Sequence, residues 1–155
     1  MIFKYKIQII KLLLGFFLIL YNFQSLADID RTNFKDIVCK INIKNNKNIN
    51  LRLEIADTNE KRSIGLMYRN KINHNHGMLF LWPNSQIRIF WMHNTFINLD
   101  LFFMNQDGVI VEIYRNAKAL DKFNIRSKVK ARSVLELNAG EFKGNLGDKL
   151  DCPSI

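Results

Sequence analysis

The sequence predicts a mainly β (α+β) domain, a compact antiparallel β-barrel or sandwich-like fold with one short helix, and three observations carry that prediction. Two successive runs, "DIVCKINIK" from Asp36 and "INLRLEIAD" from Ile49, alternate apolar and polar residues with the period of a half-buried strand. Later runs, "GMLFLW", "IRIFWM", "LDLFFMN" and "VIVEIYR", are nearly continuous in apolar residues, as strands are when both faces are covered. A helical period is confined to one stretch after Asp57.

Taken in chain order, the N-terminus comes first. Lys4, Lys6 and Lys11 precede "LLLGFFLILY", and small residues follow at Ser25 and Ala27. Basic, apolar and small-residue parts in that order predict a secretory signal peptide over residues 1–27, cut after Ala27. A spanning helix needs about 20 apolar residues, and the run is bounded by Lys11 and Asn22. The expected location is therefore periplasmic or secreted, with no stable membrane span after cleavage. An uncleaved signal anchoring the chain to the inner membrane is the alternative. Residues 28–155 then form one globular β-rich domain, a length that can bury a core without metal.

The first two alternating runs flank the polar "KNNKNIN" and predict an antiparallel hairpin. Asp57 or Thr58 can cap the helix "NEKRSIGLMYR", with Glu60 completing a capping box after Asp57. Gly65 inside it, where glycine costs about 1 kcal/mol, predicts close packing against another backbone or an early helix end. Strands resume at Gly77 and at Ile87. Those from Leu99 and Val109 form a hairpin around Asp107-Gly108, a pair that favours left-handed turn angles. "SVLELNAG" is a further strand, and "GDKLD" closes the chain. The stretch 117–131 lacks periodicity and is expected to be a long loop.

The net charge of +9 falls to +6 once Lys4, Lys6 and Lys11 are removed with the signal. Such a balance can suit phosphate backbones or anionic lipids. The basic residues are nevertheless scattered, apart from 118–132, and no aromatic-interleaved basic motif accompanies them, so nucleic acid is not an expected partner. Cys39 and Cys152 are expected to pair in an oxidising compartment. Free buried thiols are the alternative.

With "RSIGLMYR", "GMLFLW", "FWMHNTFINLDLFF" and "VLELNAGEFKGNLGDKL" placed, the chain from about Leu51 to Leu150 resembles the bacterial and archaeal family known as domain of unknown function 192. The matching positions are Arg62, Gly65, Leu66, Met67 and Arg69, then Gly77, Met78, Leu79 and Phe80. They continue with Trp91, Met92, Asn94, Thr95, Leu99 and Asp100, and end with Glu136, Leu137, Asn138, Gly140, Gly147 and Asp148. Three positions depart. Asn98 and Ala119 stand where prolines are usual, which frees two backbone angles, and His93 stands in a lysine slot. The resemblance implies a mainly β domain with one short helix, often exported, and no particular reaction or cofactor.

Three kinds of chemistry compete for "FWMHNTFINLD". His74, His76, His93 and Asp100 are possible ligands for zinc or copper, but they lack a familiar spacing, and no metal is expected. Asp100 orienting His93 beside Thr95, or meeting Glu136 as a carboxylate pair, would suit a hydrolase-like enzyme. A non-catalytic ligand-binding or accessory module is the preferred reading. Its pocket near Trp91 would draw on Arg62, Arg69, Met92, Asn94, Thr95, Asp100 and Glu136, and its partner would be a small ligand or an envelope protein. In the structural reading of the same residues, Trp91 is core, Arg69 pairs with Asp100 or Glu136, and Asp100 braces a turn. A monomer is expected.

Overall fold

The computed structural model describes residues 34–43 and 47–153; the predicted signal peptide lies outside them. Among the described residues the order is β1 (Lys35–Ile43), β2 (Lys47–Ala56), α1 (Asn59–Ile64), β3 (His76–Gln86), β4 (Ile89–Phe90), β5 (Leu99–Met104), β6 (Ile110–Ala117), β7 (Ile125–Arg126), β8 (Ala131–Asn138) and β9 (Lys149–Asp151). Seven strands form one sheet in the order β6-β5-β8-β3-β2-β1-β9, while β4 and β7 make a separate ribbon. The mainly β expectation with one short helix holds.

The sheet curls into a half-barrel because its two edges meet at one end. Val109 bridges Lys149, the Leu150 amide donates to the Gly108 carbonyl at 2.9 Å, and the Ile110 amide donates to the Asp148 carbonyl at 2.8 Å. Pairing the edges there removes the exposed donors and acceptors that an open sheet would present. Cys39, Ile41, Leu51, Leu53, Ile55, Leu79, Phe102, Leu135 and Leu150 fill the concave side. Met78, Phe80, Leu99, Leu101, Phe103 and Val134 form the opposite face, covered by Leu66, Met92 and Ile125 from the connections. All six residues of β5 are buried, Asp100 included, as its nearly continuous apolar run predicts.

Cys39 on β1 and Cys152 just after β9 lie at disulfide distance, their α-carbons 4.3 Å apart and 113 positions apart in sequence. Closing so long a loop lowers the entropy of the unfolded chain by the equivalent of about 4 to 5 kcal/mol in the chain-entropy treatment. The bond reinforces the β1·β9 pairing at one edge of the sheet.

Several elements differ from expectation, each for a local reason. The pairing of β2 with β3 is parallel, because α1 lies in the crossover between them and returns the chain to the same end of the sheet. The other neighbouring pairs are antiparallel. The helix is six residues long. Thr58, rather than Asp57, caps it by accepting the Lys61 amide at 3.2 Å. Gly65 ends it at φ 49°, and the Phe80 ring lies 3.1 Å from where a β-carbon would sit. The early helix end is as expected, while the close neighbour is a side-chain ring rather than another backbone.

The run from Ile87 yields only the two residues of β4, which pair with β7 inside the stretch expected to be a loop. Arg88 explains this. It is buried, its Nε donates to the Ala131 carbonyl at 3.0 Å, its amide donates to Ser127 Oγ at 2.9 Å, and its carbonyl accepts the Ser127 amide. A polar residue thus pins the 117–131 connection to β4. β3 runs past Pro83 because a register shift between Leu81 and Gln86 frees the ladder where proline cannot donate.

The expectation of freed loops at Asn98 and Ala119 meets a compensation: the Ala119 amide donates to Asn98 Oδ1 at 2.8 Å. A proline at 119 has no amide to give, and a proline at 98 has no side-chain acceptor.

At Gly77 the backbone of β3 comes so close to β8 that a β-carbon would run into the Glu136 carbonyl oxygen and the Leu137 side chain. Gly77→Ala is expected to lower unfolding stability by at least about 2 kcal/mol, since the obstruction is main chain and cannot rotate away. Urea denaturation checks this, and an unchanged midpoint would refute the close approach.

Candidate functional site

Three central strands set the floor of a cleft on the face opposite Asp100. In register, Glu136 of β8 lies between Met78 of β3 and Leu101 of β5, on the convex face that α1, β4 and β7 cover. The cleft holds about 440 Å³ and is lined by Arg62, Gly65, Phe80, Trp82, Phe90, Trp91, Thr95, Asn124 and Glu136, among others. Its aromatic wall is interlocked. Phe80 and Trp82, two apart on β3, stack at 6.3 Å. Phe90 meets Phe80 edge-on at 5.1 Å and Trp82 at 6.2 Å, the geometry that ring quadrupoles favour. Trp91 stays 54% exposed at the mouth, so it is not core.

Glu136 is the unusual group. Its side chain makes no hydrogen bond or ion pair among the described residues, and burial alone pushes its carboxyl from an ordinary 4.5 up to about 8. No fully occluded side-chain oxygen or nitrogen among the described residues lacks a partner. The carboxyl oxygens therefore touch solvent that enters the cleft. At neutral pH the group is mostly protonated and can both donate and accept a hydrogen bond.

Arg62 is the one cation that lines the cleft among the described residues, and Arg88 packs against Trp82 outside its lining. Arg62 donates to the carbonyls of Asp57 at 2.7 Å and Leu81 at 2.6 Å and to Asn59 Oδ1 at 2.6 Å, binding α1 to β3. Its guanidinium sits 5.3 Å from the Trp82 ring, and that of Arg88 sits 4.2 Å away. Burial first, then the charges of Arg62 and Arg132, lower the Arg88 pKa. Among the described residues none of these three arginines has a carboxylate partner.

The remaining sequence candidates lie elsewhere. Asp100 points to the opposite side of the sheet from Glu136, because Glu136 pairs in register with its neighbour Leu101; the two carboxyls do not meet. Asp100 is 1% exposed. Its Oδ1 accepts the Asn116 amide at 2.7 Å, and its Oδ2 accepts the Gly140 amide at 3.0 Å and Arg115 Nη1 at 2.8 Å. Arg115 also donates to the Phe142 carbonyl at 2.7 Å. Asp100 thus braces β5, β6 and the turn after β8. Arg69 pairs through both nitrogens with Glu54, not with Asp100 or Glu136.

Asn94 Nδ2 donates to the Tyr68 hydroxyl at 2.7 Å, stapling the turn after α1, and Met92 is buried beneath the cleft. Thr95 lines it, with Oγ1 donating to the His93 carbonyl at 3.3 Å. The structure thus brings Arg62, Trp91, Thr95 and Glu136 together and separates them from Arg69, Asn94 and Asp100. His74 lies 3.2 Å from Glu141, and among the described residues no group of three or more His, Cys, Asp or Glu could hold a metal ion. Sequence reasoning missed Phe80 and Trp82 as lining residues, Arg88 as the cation over Trp82 and Arg115 as the partner of Asp100. The two-residue spacing of Phe80 and Trp82 could have flagged the first pair; nothing local marks the arginines.

The chain belongs to the family described as Uncharacterized ACR, domain of unknown function 192, whose profile matches residues 40–151. It is similar in structure to a Sinorhizobium meliloti 1021 protein provisionally described as a transcription regulator, at 32% identity and a TM-score of 0.76 over 79% of this chain and 97% of that one. It is also similar to a protein of unknown function from Novosphingobium aromaticivorans DSM 12444, at 27% identity and a TM-score of 0.73 over 79% of this chain and 89% of that one. Comparison with curated proteins gives no match.

Two predictions follow from this geometry. Asp100→Ala leaves two main-chain amides and a guanidinium without their acceptor and should cost about 1 to 3 kcal/mol in denaturant melts; full retention of stability would contradict the brace. For Glu136, the unfolded chain releases its proton above about pH 4.5 while the native chain holds it to about pH 8. The native state binds more protons across that window, so this group's contribution to stability falls as pH rises through it and levels off above. Glu136→Gln should therefore gain on the parent between those pH values, reaching on the order of 3 kcal/mol or more by pH 8. Parallel melts at pH 4, 6 and 8 measure the difference, and a constant gap would mean the carboxyl titrates normally.

Proposed function

We propose that this member of the family is a non-catalytic binding or accessory module of the cell envelope, taking a small ligand in the cleft beside Trp91. The unpartnered Glu136 carboxyl at the floor of an aromatic-walled cleft carries this reading. A fold gains nothing from burying such a group without a partner, whereas a ligand offering a hydrogen-bonding group would satisfy it. Apolar walls with few polar groups are the common form of a small-molecule site. The disulfide-distance cysteines, and the absence among the described residues of a helix long and apolar enough to cross a membrane, are consistent with an extracytoplasmic location. Delivery by the 1–27 signal is part of the proposal, with retention by an uncleaved signal as its alternative.

A second reading, a hydrolase-like enzyme, draws support from the raised pKa of Glu136, which suits a general acid or base. It would work from Glu136 and Thr95 rather than from Asp100, whose oxygens are both engaged. Native mass spectrometry of protein taken from its own envelope, followed by calorimetric titration with whatever small molecule co-purifies, tests both readings. One-to-one binding without turnover is expected. Trp91→Ala should weaken it about tenfold, and Glu136→Leu, which keeps the fold, should weaken it further. Unchanged affinity in both variants would sink the cleft as the site, and conversion of the ligand would favour the enzyme.

A further inference from the structure

Neither the sheet nor the cleft accounts for the character of Lys118–Arg132. Lys118, Lys122, Arg126, Lys128, Lys130 and Arg132 stand there against one acid, Asp121, and all six are exposed. None forms an ion pair among the described residues. Between them Phe123 is 81% exposed, Leu120 54% and Val129 40%. Single exposed apolar residues are ordinary; three interleaved with six cations between Lys118 and Arg132, none of them in an ion pair, are not.

The backbone that presents them is held. The Ala119 amide donates to Asn98 Oδ1 and the Leu120 amide to the Thr95 carbonyl at 3.0 Å. Farther on, the Lys128 and Val129 amides donate to Glu112 Oε2 at 2.7 and 3.1 Å. Asp121 is turned to the loop itself, its Oδ1 accepting the Phe123 amide at 3.0 Å. Among the described residues Glu112 and Asp121 are the two carboxylates bonded to this connection, and against its six cations they leave it strongly positive.

We propose that this connection is a docking surface for an anionic lipid bilayer. The cations complement headgroup phosphates, while Leu120, Phe123 and Val129 have the size and exposure to enter the boundary between headgroups and acyl chains. A duplex nucleic acid would use the charge but leave the aliphatic side chains in water, and an uncharged protein partner would leave six cations unmatched. The inference stands independently of what the cleft binds.

Protein lacking residues 1–27, first shown by circular dichroism and melting to be folded, is sedimented at low salt with vesicles of phosphatidylglycerol and phosphatidylethanolamine, and with vesicles of phosphatidylcholine alone. Binding to the first and little to the second is expected. The double variant Lys122→Gln/Lys128→Gln should lower the partition coefficient about thirtyfold, and Phe123→Ser about tenfold, both without moving the melting temperature because the side chains are exposed. Three results would overturn the proposal: no sedimentation with anionic vesicles; full retention by Phe123→Ser; or a stronger preference for duplex DNA, or for a second copy of the chain, at the same salt.

Discussion

A strand covered on both faces has nowhere to put a polar side chain without either giving it a partner or opening a cavity beside it. β8, at the middle of the sheet between β5 and β3, is under that constraint, and so is β5. The curl of the sheet buries their concave side against the ring of apolar residues from Cys39 to Leu150. α1 and the connections bury their convex side. Two acids nevertheless sit on these strands, and each meets the constraint in one of the two possible ways.

Asp100 takes the first. On the concave side it is saturated by two amides and Arg115, and those bonds join the β5–β6 hairpin to the turn after β8, forty residues on. Glu136 takes the second. On the convex side it keeps its proton rather than acquiring a partner, and the cover stops short of it, leaving the cleft. A chain selected for stability alone would hold an apolar residue at 136. The cost of the glutamate is the physical reason to look for function there and not at Asp100.

The same division explains the connections. Arg62, Arg88 and Asn98 are polar residues whose hydrogen bonds go mainly to main chain, and they fasten α1, β4 and the 117–131 stretch to the sheet. With its backbone held by such clamps, that stretch can present Phe123 and its basic neighbours to solvent while the cleft wall beside it stays in place.

Much of this was readable from the sequence. Period-two alternation in β1 and β2, the nearly continuous apolar run of β5, the Asp107-Gly108 turn and the glycine at 65 are local signals, because strand period and left-handed backbone angles are properties of a few consecutive residues. The family followed from four ordered motifs, and of the residues singled out for a pocket (Arg62, Arg69, Trp91, Met92, Asn94, Thr95, Asp100 and Glu136) only Arg62, Trp91, Thr95 and Glu136 line one cleft. What the sequence could not decide is which polar residue faces which side of the sheet and who its partner is. Asp100 meets Arg115 and Gly140, Arg69 meets Glu54, and Arg88 meets Ala131 because strand order, the crossover and the closure of the sheet edges bring distant segments together. Those depend on long-range packing that no short window encodes. Whether a buried acid is saturated by partners or left facing a cleft was therefore decided only when the sheet curled.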